Sequence, residues 1–393
     1  MFAAKSEPRT ASPHKRERTP LSSLLPYLRD RIFDWRNKLL ADPQFHAWAA
    51  RAPFINKITK KEANSAFDLC AGFVYSQILL ACVKLSVFDV LAAGALGVPA
   101  ISSAIGLSPD ATLRLMKAAA ALRLVEARSG GRFGLGMVGA AIRANPGVVA
   151  MIRHHEILYH DLQDPVALLK GTAPPAALSH FWGYAEGGGA ALSSDSVAGY
   201  TNLMGASNAF VADQVLAAYP LDRHKVLLDV GGGNATFVSR VAQKYPQLDL
   251  KIFDLPAVAD QARTRLIPAP YQNRIAVHAG DFFADPLPAG ADLITLLRII
   301  HDHDDEPVRK LLRAARGALC PGGTLLIAEP MSGTAGAAAI GDAYFGFYLM
   351  AMGSGSPRTP EAITALLKEA GFHSIREVRT LLPMQSRLIV AQA

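Results

Sequence analysis

Hydrophobic spacing changes character several times along this chain, and each change predicts an element. From Leu24 onward, Leu25, Leu28, Ile32, Trp35 and Leu39 recur at helical intervals with Arg29, Arg31, Arg36 and Lys38 between them. That is the pattern of a basic amphipathic helix. Farther on, "VPAISSAIGLSPDATLRLMKAAAALRLVE" predicts a short helix, a turn at Gly106 and a second helix capped near Ser108 or Asp110, with Leu113, Met116 and Ala120 on one face. "ARSGGRFGLG" then puts Gly130 and Gly131 in a turn between two short strands. Helix, turn, helix and wing together predict a winged helix within a small helical unit from Phe67 to about Asn145.

In the C-terminal half the apolar residues come in continuous runs. Lys225–Val230, Leu248–Phe253, Ile275–His278, Asp292–Ile300 and "GTLLIAEP" read as strands buried on both faces, with helical segments between them. The expected organisation is a disordered basic tail over 1–22, a helical unit containing the winged helix over 23–200, and an α/β domain over 201–393. A chain of 393 residues, half of them apolar, can bury more than one core.

Charge sharpens this division. Of the formal +7, all falls between Met1 and Glu62, which hold thirteen Lys and Arg against six Asp and Glu; the remainder is neutral. The basic helix therefore suits an anionic membrane surface, or packs in a dimer with its cations in water. The second winged-helix segment offers only Arg114, Lys117 and Arg123, too few for a stripe that tracks phosphates, so no nucleic-acid partner is expected. Three separated cysteines and a polar N-terminal start fit a reducing, cytoplasmic setting without a secretory leader. The apolar run Cys70–Val83, bounded by Asp68 and Lys84, is too short to span a bilayer.

The stretch "HKVLLDVGGGNATFVSRVAQKYPQLDLKIFDLP" carries the clearest chemistry. A strand, a turn at Gly231–Gly233, a helix and a second strand ending in Asp254 form the β-α-β unit that places a nucleoside ribose at the carboxyl edge of a parallel sheet. The cofactor is a nicotinamide dinucleotide or S-adenosylmethionine, and three features favour the latter. Thr236 stands where a dinucleotide fingerprint has its third glycine. Asp229 before the turn suits a cationic amino group and would repel a pyrophosphate. Asp281 with Phe282, in "AGDFFADPLP", can take an adenine amino group and ring face.

"LLRIIHDHDDE" ends an apolar strand in two histidines and four acids. Consecutive residues at a helix start diverge, so a metal site is not expected; Asp304, Asp305 and Glu306 read as cap and dipole residues of the helix that Pro307 opens. His301 lies just beyond the strand, at the ligand edge, and a neutral imidazole there can remove a hydroxyl proton during methyl transfer. Glu329, at the end of the next strand, is placed to orient it. His154, His155 and His160 lack ligand spacing and read as substrate lining or helix polarity.

In combination, "DVGGG", "FDLP", "GDFF", "LLRIIHDHDDE", "PGGTLLIAE" and "RTPEAITALLKEAGF" resemble the small-molecule O-methyltransferase family that includes plant caffeate and bacterial polyketide enzymes. The resemblance covers most of the chain from Phe67. It implies a class I Rossmann-like α/β methyltransferase domain behind a winged-helix dimerisation domain, a homodimer, S-adenosylmethionine as cofactor and His301 as proton acceptor. It also implies cofactor contacts from Asp229, Gly231, Gly233, Asp254, Leu255, Asp281, Phe282, Phe283 and Arg298. Three positions depart: Ala235 stands where many members have glycine, His303 replaces a tryptophan, and Pro357 occupies the place of a second acid. Within the family, "MIRHHEILYHDLQDPVALLKG", "HFWGYA" and "YFGFYLMAMGSGSPRTPE" resemble the branch that methylates the tertiary hydroxyl of acyclic carotenoids. This implies a hydroxylated carotenoid substrate, an apolar pocket lined by Met204, Tyr344, Phe345, Tyr348, Met350 and Met352, and a membrane-facing role for residues 23–62. A bacteriochlorophyll precursor or a polyketide or phenolic acceptor would preserve the same motifs.

Overall fold

Strand formation in the C-terminal half follows from side chains that alternate between two separate cores. Leu227, Leu293, Leu326 and Leu388 enter one core, while their neighbours Leu228, Ile294, Leu325 and Ile389 enter the other. Both faces are apolar, so the runs look continuous in sequence. In the computed structural model the described residues are 21–49, 55–181, 205, 208–383 and 385–393. Met204 and "HFWGYA" beyond Phe181 lie outside the described residues, as does most of the tail expected over 1–22.

The chain forms two compact units, residues 1–77 and 78–393. The first contains helices Leu21–Leu40 and Pro43–Ala49 and most of the helix Ile55–Lys84. In the first helix Leu28, Ile32, Phe33 and Trp35 are exposed. The helix Ile55–Lys84 continues through Asp68 and does not break at that charge. Its Lys60–Lys84 portion is long and apolar enough, by length and composition, to cross a membrane, and little of it is buried. A charge inside a helix does not end it, so the expected short run is here a longer one.

The second unit contains a three-stranded antiparallel sheet, β1 (Leu96–Gly97), β2 (Val125–Arg128) and β3 (Arg132–Leu135), in the order β1-β3-β2. Helices Val98–Ile105 and Pro109–Ala121 stand beside it, the second capped by Ser108, whose Oγ accepts from Ala111 N at 3.2 Å. Gly106 closes the first in the left-handed region at φ 70°. Ile101, Met116, Ala119 and Phe133 bury one core. This is the expected winged helix, its glycine turn at Gly130 and Gly131, both with positive φ.

Seven strands form the main sheet: β4 (Val226–Val230), β5 (Asp249–Asp254), β6 (Ile275–Ala279), β7 (Ala291–Leu297), β8 (Leu319–Glu329), β9 (His373–Val378) and β10 (Arg387–Gln392). Their order is β6-β5-β4-β7-β8-β10-β9, parallel except for β10, which runs antiparallel to both neighbours. The chain leaves β4 toward β5 on one side and returns to β7 on the other. The carboxyl ends of β4 and β7 therefore flank a topological switch point, where α/β sheets bind ligands. Helix Asp305–Ala318 covers one face through Val308, Leu311, Leu312 and Ala315, all fully buried; each such Leu contributes roughly 1.5–3 kcal/mol.

Candidate active site

The turn after β4 is shaped by close approach. Gly231 and Gly233 have φ 70° and 57°. A Cβ on Gly231 would overlap the Ile299 side chain, and one on Gly232 would lie 2.9 Å from Asp229 Oδ2. Ala235 adopts φ 65°, a left-handed conformation that costs a residue with a Cβ about 1 kcal/mol.

Two carboxylates are buried under this turn. Asp229 accepts from Thr295 Oγ1 at 2.6 Å, its neighbour in the β4–β7 register. Burial pushes it up to about 7, against that hydrogen bond and with help from the nearby Asp254 charge. Asp254 accepts from Gly233 N at 2.7 Å and Leu255 N at 2.8 Å, and burial raises it to about 6 despite both donors. A site that strains two carboxylates in this way favours a cation or several hydroxyl donors beside them. The amino group and ribose of S-adenosylmethionine supply both, so the donor set fits that cofactor.

One strand farther out, after β6, Asp281 builds a turn: its N–H donates to Asp285 Oδ2 and its Oδ1 accepts from Phe283 N, both at 2.8 Å. The Phe282 and Phe283 rings meet edge to face at 4.6 Å, and His303 stands perpendicular to Phe283 at 4.9 Å. His303 is buried against both rings. Arg298 follows β7 with φ 58°, and its N–H donates to Ala328 O at 2.8 Å. The guanidinium lies close enough to favour the charged form of Asp302, and it works against the burial that pushes the Tyr344 hydroxyl up.

His301 sits in a short 3-10 turn just past β7, 4% exposed. Its Nδ1 lies 3.3 Å from Glu329 Oε2, and its Nε2 lies 3.0 Å from Asp302 Oδ1. The same Glu329 oxygen accepts from the His301 backbone N–H at 3.2 Å. Glu329 is fully buried, and its Oε1 has no hydrogen-bond partner among the described residues. Burial alone would lower the imidazole, but Asp302 and then Glu329 outweigh it and raise His301 to about 9. Asp302 was not singled out by sequence; its neighbours in the acid run disguised it.

The other acids differ from expectation in detail. Asp304 occupies the N-cap of helix Asp305–Ala318 without a side-chain cap bond; its Oδ1 accepts instead from Gly355 N at 3.0 Å. Asp305 pairs with the buried Arg358 at 2.8 Å. The other partners of Arg358 are the backbone carbonyls of Ile300 and His303, which leave no residue pattern in the sequence.

A wall of aromatic rings faces His301 from the π-helix Ala339–Phe345 and the helix Gly346–Met352. Phe345 stands 6.0 Å from the imidazole and Tyr344 stands 5.0 Å from Phe345. Behind it, His155 Nε2 bonds Tyr344 OH at 2.8 Å and His154 Nε2 bonds Tyr348 OH at 2.7 Å. Burial lowers both imidazoles, His154 to about 4. Both histidines are therefore neutral at pH 7. Tyr348 and Met352 pack with Leu158 and Leu178 in a separate small core, deeper than Phe345. Among the described residues, no three His, Cys, Asp or Glu side chains converge to hold a metal.

The O-methyltransferase domain model matches residues 159–373, and the O-methyltransferase dimerisation domain model matches residues 67–141. Demethylspheroidene O-methyltransferase of Cereibacter sphaeroides is 42% identical over 90% of this chain and 93% of its own. Acetylserotonin O-methyltransferase of Mus musculus molossinus is 30% identical over 81% and 85%. The crystal structure of human N-acetylserotonin methyltransferase in complex with SAM superposes with a TM-score of 0.67 at 23% identity, covering 84% of this chain and 97% of that one.

Proposed function

The chain belongs to the S-adenosylmethionine-dependent O-methyltransferase family, and from that premise we propose that its acceptor is the tertiary hydroxyl of an acyclic hydroxycarotenoid and that His301 removes the hydroxyl proton. The observation that carries the base assignment is the buried His301 with Nδ1 against Glu329. The acceptor class rests on the activity named for the demethylspheroidene relatives of Cereibacter and Rhodobacter.

When bound, the cofactor supplies an electrophilic methyl group carried on a sulfonium. Asp229, Gly231, Gly233, Asp254 and Leu255 form the cradle for its polar end, with Asp281, Phe282, Phe283 and Arg298 along the same sheet edge. Glu329 accepts the Nδ1 proton of His301, which leaves Nε2 as the atom that takes the acceptor's proton. An alkanol is a far weaker acid than a phenol, so a base in contact with the oxygen matters more for this substrate class. Asp302 holds Nε2 in the resting enzyme, and an entering hydroxyl must take its place. Phe345 and Tyr344 offer an apolar wall on which a polyene end can lie.

The dimerisation domain supports a homodimer, in which a second copy would cover the exposed Phe67, Leu69, Phe73 and Val74. The helix Leu21–Leu40, with its exposed Leu28, Ile32 and Trp35 beside Arg29, Arg31 and Arg36, suits peripheral contact with an anionic bilayer, where such a substrate dissolves. Incubation with methyl-labelled cofactor and a hydroxylated acyclic carotenoid, beside a phenolic control, tests the acceptor. Label in the carotenoid is expected; label only in the phenol would overturn the assignment. Sedimentation with phosphatidylglycerol vesicles tests the surface contact, and equal binding by a chain lacking residues 1–62 would remove it.

A further inference from the structure

Four consecutive backbone carbonyls, those of Ile300, His301, Asp302 and His303, are all taken by one short segment elsewhere in the chain. Arg358 Nη1 donates to Ile300 O at 2.6 Å, Ser356 N to His301 O at 3.0 Å, Ser354 Oγ to Asp302 O at 2.7 Å and Arg358 Nη2 to His303 O at 2.7 Å. Gly355, at φ 83°, lies so close that a Cβ there would overlap the His301 carbonyl oxygen and stand 2.6 Å from the Asp302 carbonyl carbon. This strap, residues 354–358, is anchored twice more. Arg358 is 5% exposed and bonds Asp305 Oδ1 through Nε at 2.9 Å, and its own carbonyl accepts from Ser332 N at 3.0 Å, three residues beyond Glu329.

We propose that Arg358 and the strap it ends are the positioning element of the reaction, fixing the turn that carries His301 against the strand end that carries Glu329. The physical need is plain. The Ile300–Asp302 turn is a single 3-10 turn with no sheet partner, so nothing regular sets its angle, while the imidazole must meet Glu329 on one side and the acceptor on the other. A guanidinium is suited to this task because its planar fork reaches two carbonyls and a carboxylate at once. The strap follows the helix Gly346–Met352 after one residue, Gly353, so the segment that holds the turn of His301 continues directly from the helix behind the aromatic wall. Arg358 touches no reacting atom and acts through His301, and in this the proposal rests on the reading of His301 as base.

The test uses Arg358→Lys, which keeps a charge beside Asp305 but loses the fork, and Ser354→Ala, which removes one hydroxyl at a half-buried site. Each is made in the full-length wild type and in His301→Ala. In the wild-type background Arg358→Lys should lower kcat by ~10²-fold, as a misplacement of about 1 Å does, and Ser354→Ala should lower it less. The dissociation constant for S-adenosylmethionine and the melting temperature of Ser354→Ala should stay near wild type. The alkaline inflection of the rate should move in Arg358→Lys, because His301 would then sit differently against Asp302, Glu329, Arg298 and His303. In the His301→Ala background both effects should disappear. Equal losses in both backgrounds, or an unchanged kcat and pH profile in both single variants, would overturn the positioning role; full activity of His301→Ala alone would instead overturn the base assignment.

Discussion

Asp302→Asn tests how the charge beside Nε2 governs the base. In the resting structure Asp302 Oδ1 lies 3.0 Å from that nitrogen, and His301 is raised from 6.5 to about 9. A rise of that size corresponds to about 3 kcal/mol favouring the protonated ring. It is the net of burial, which opposes protonation, and of two carboxylates, of which Asp302 contributes more. Removing its charge while keeping its shape should therefore lower the inflection by at least ~1 pH unit, toward the ordinary value. The sign is fixed: the base form is the neutral one, so kcat/KM of the wild type should rise with pH up to about 9 and then level. In Asp302→Asn the plateau is reached earlier, and near pH 7 the neutral fraction increases roughly tenfold for each unit of the shift. The assay is methyl transfer from labelled cofactor between pH 6 and 10, with the His301 ring titrated in parallel by nuclear magnetic resonance. An inflection that stays at the wild-type position would refute the account of what holds the proton. The same raised value makes His301 stabilising below the unfolded 6.5, a contribution lost as pH rises through about 9.

Two further substitutions probe the flanks of the site. Asp254→Asn places an amide against the N–H donors of Gly233 and Leu255; titration calorimetry should show cofactor affinity reduced at least ~10-fold, consistent with about 1–3 kcal/mol for a buried mismatch, and unchanged affinity would remove Asp254 from the cradle. Tyr348→Phe removes the hydroxyl that lies 2.7 Å from the buried His154 Nε2; the expected cost is that of one hydrogen bond, about 0.5–1.5 kcal/mol, read as a lower denaturation midpoint, and an unchanged midpoint would show that the pair contributes nothing net.

Legibility in the sequence followed the range of the contacts. The β4 turn, Asp254 and the strand-end positions of His301 and Glu329 were readable because each depends on residues within one β-α-β repeat. The winged helix was readable for the same reason: Ser108 caps its own helix, and Gly106 ends the one before. What was not readable is long-range. His154 and His155 show no ligand spacing because their partners, Tyr348 and Tyr344, lie about 190 residues away. Arg358 grips carbonyls, which every residue has, so no pattern announces it. Asp302 was lost among acids that open a helix, although only the turn at Ile300–Asp302 brings its carboxylate back onto Nε2. Asp304 shows the reverse error, since its cap position was right while its side chain bonds Gly355 instead.

The most direct measurement is methyl transfer by His301→Ala with cofactor binding measured on the same sample. The account predicts a rate lowered by ~10²–10⁴-fold, the range of a lost general base, with the dissociation constant for S-adenosylmethionine unchanged. Transfer at the wild-type rate by a variant that binds cofactor normally would contradict it.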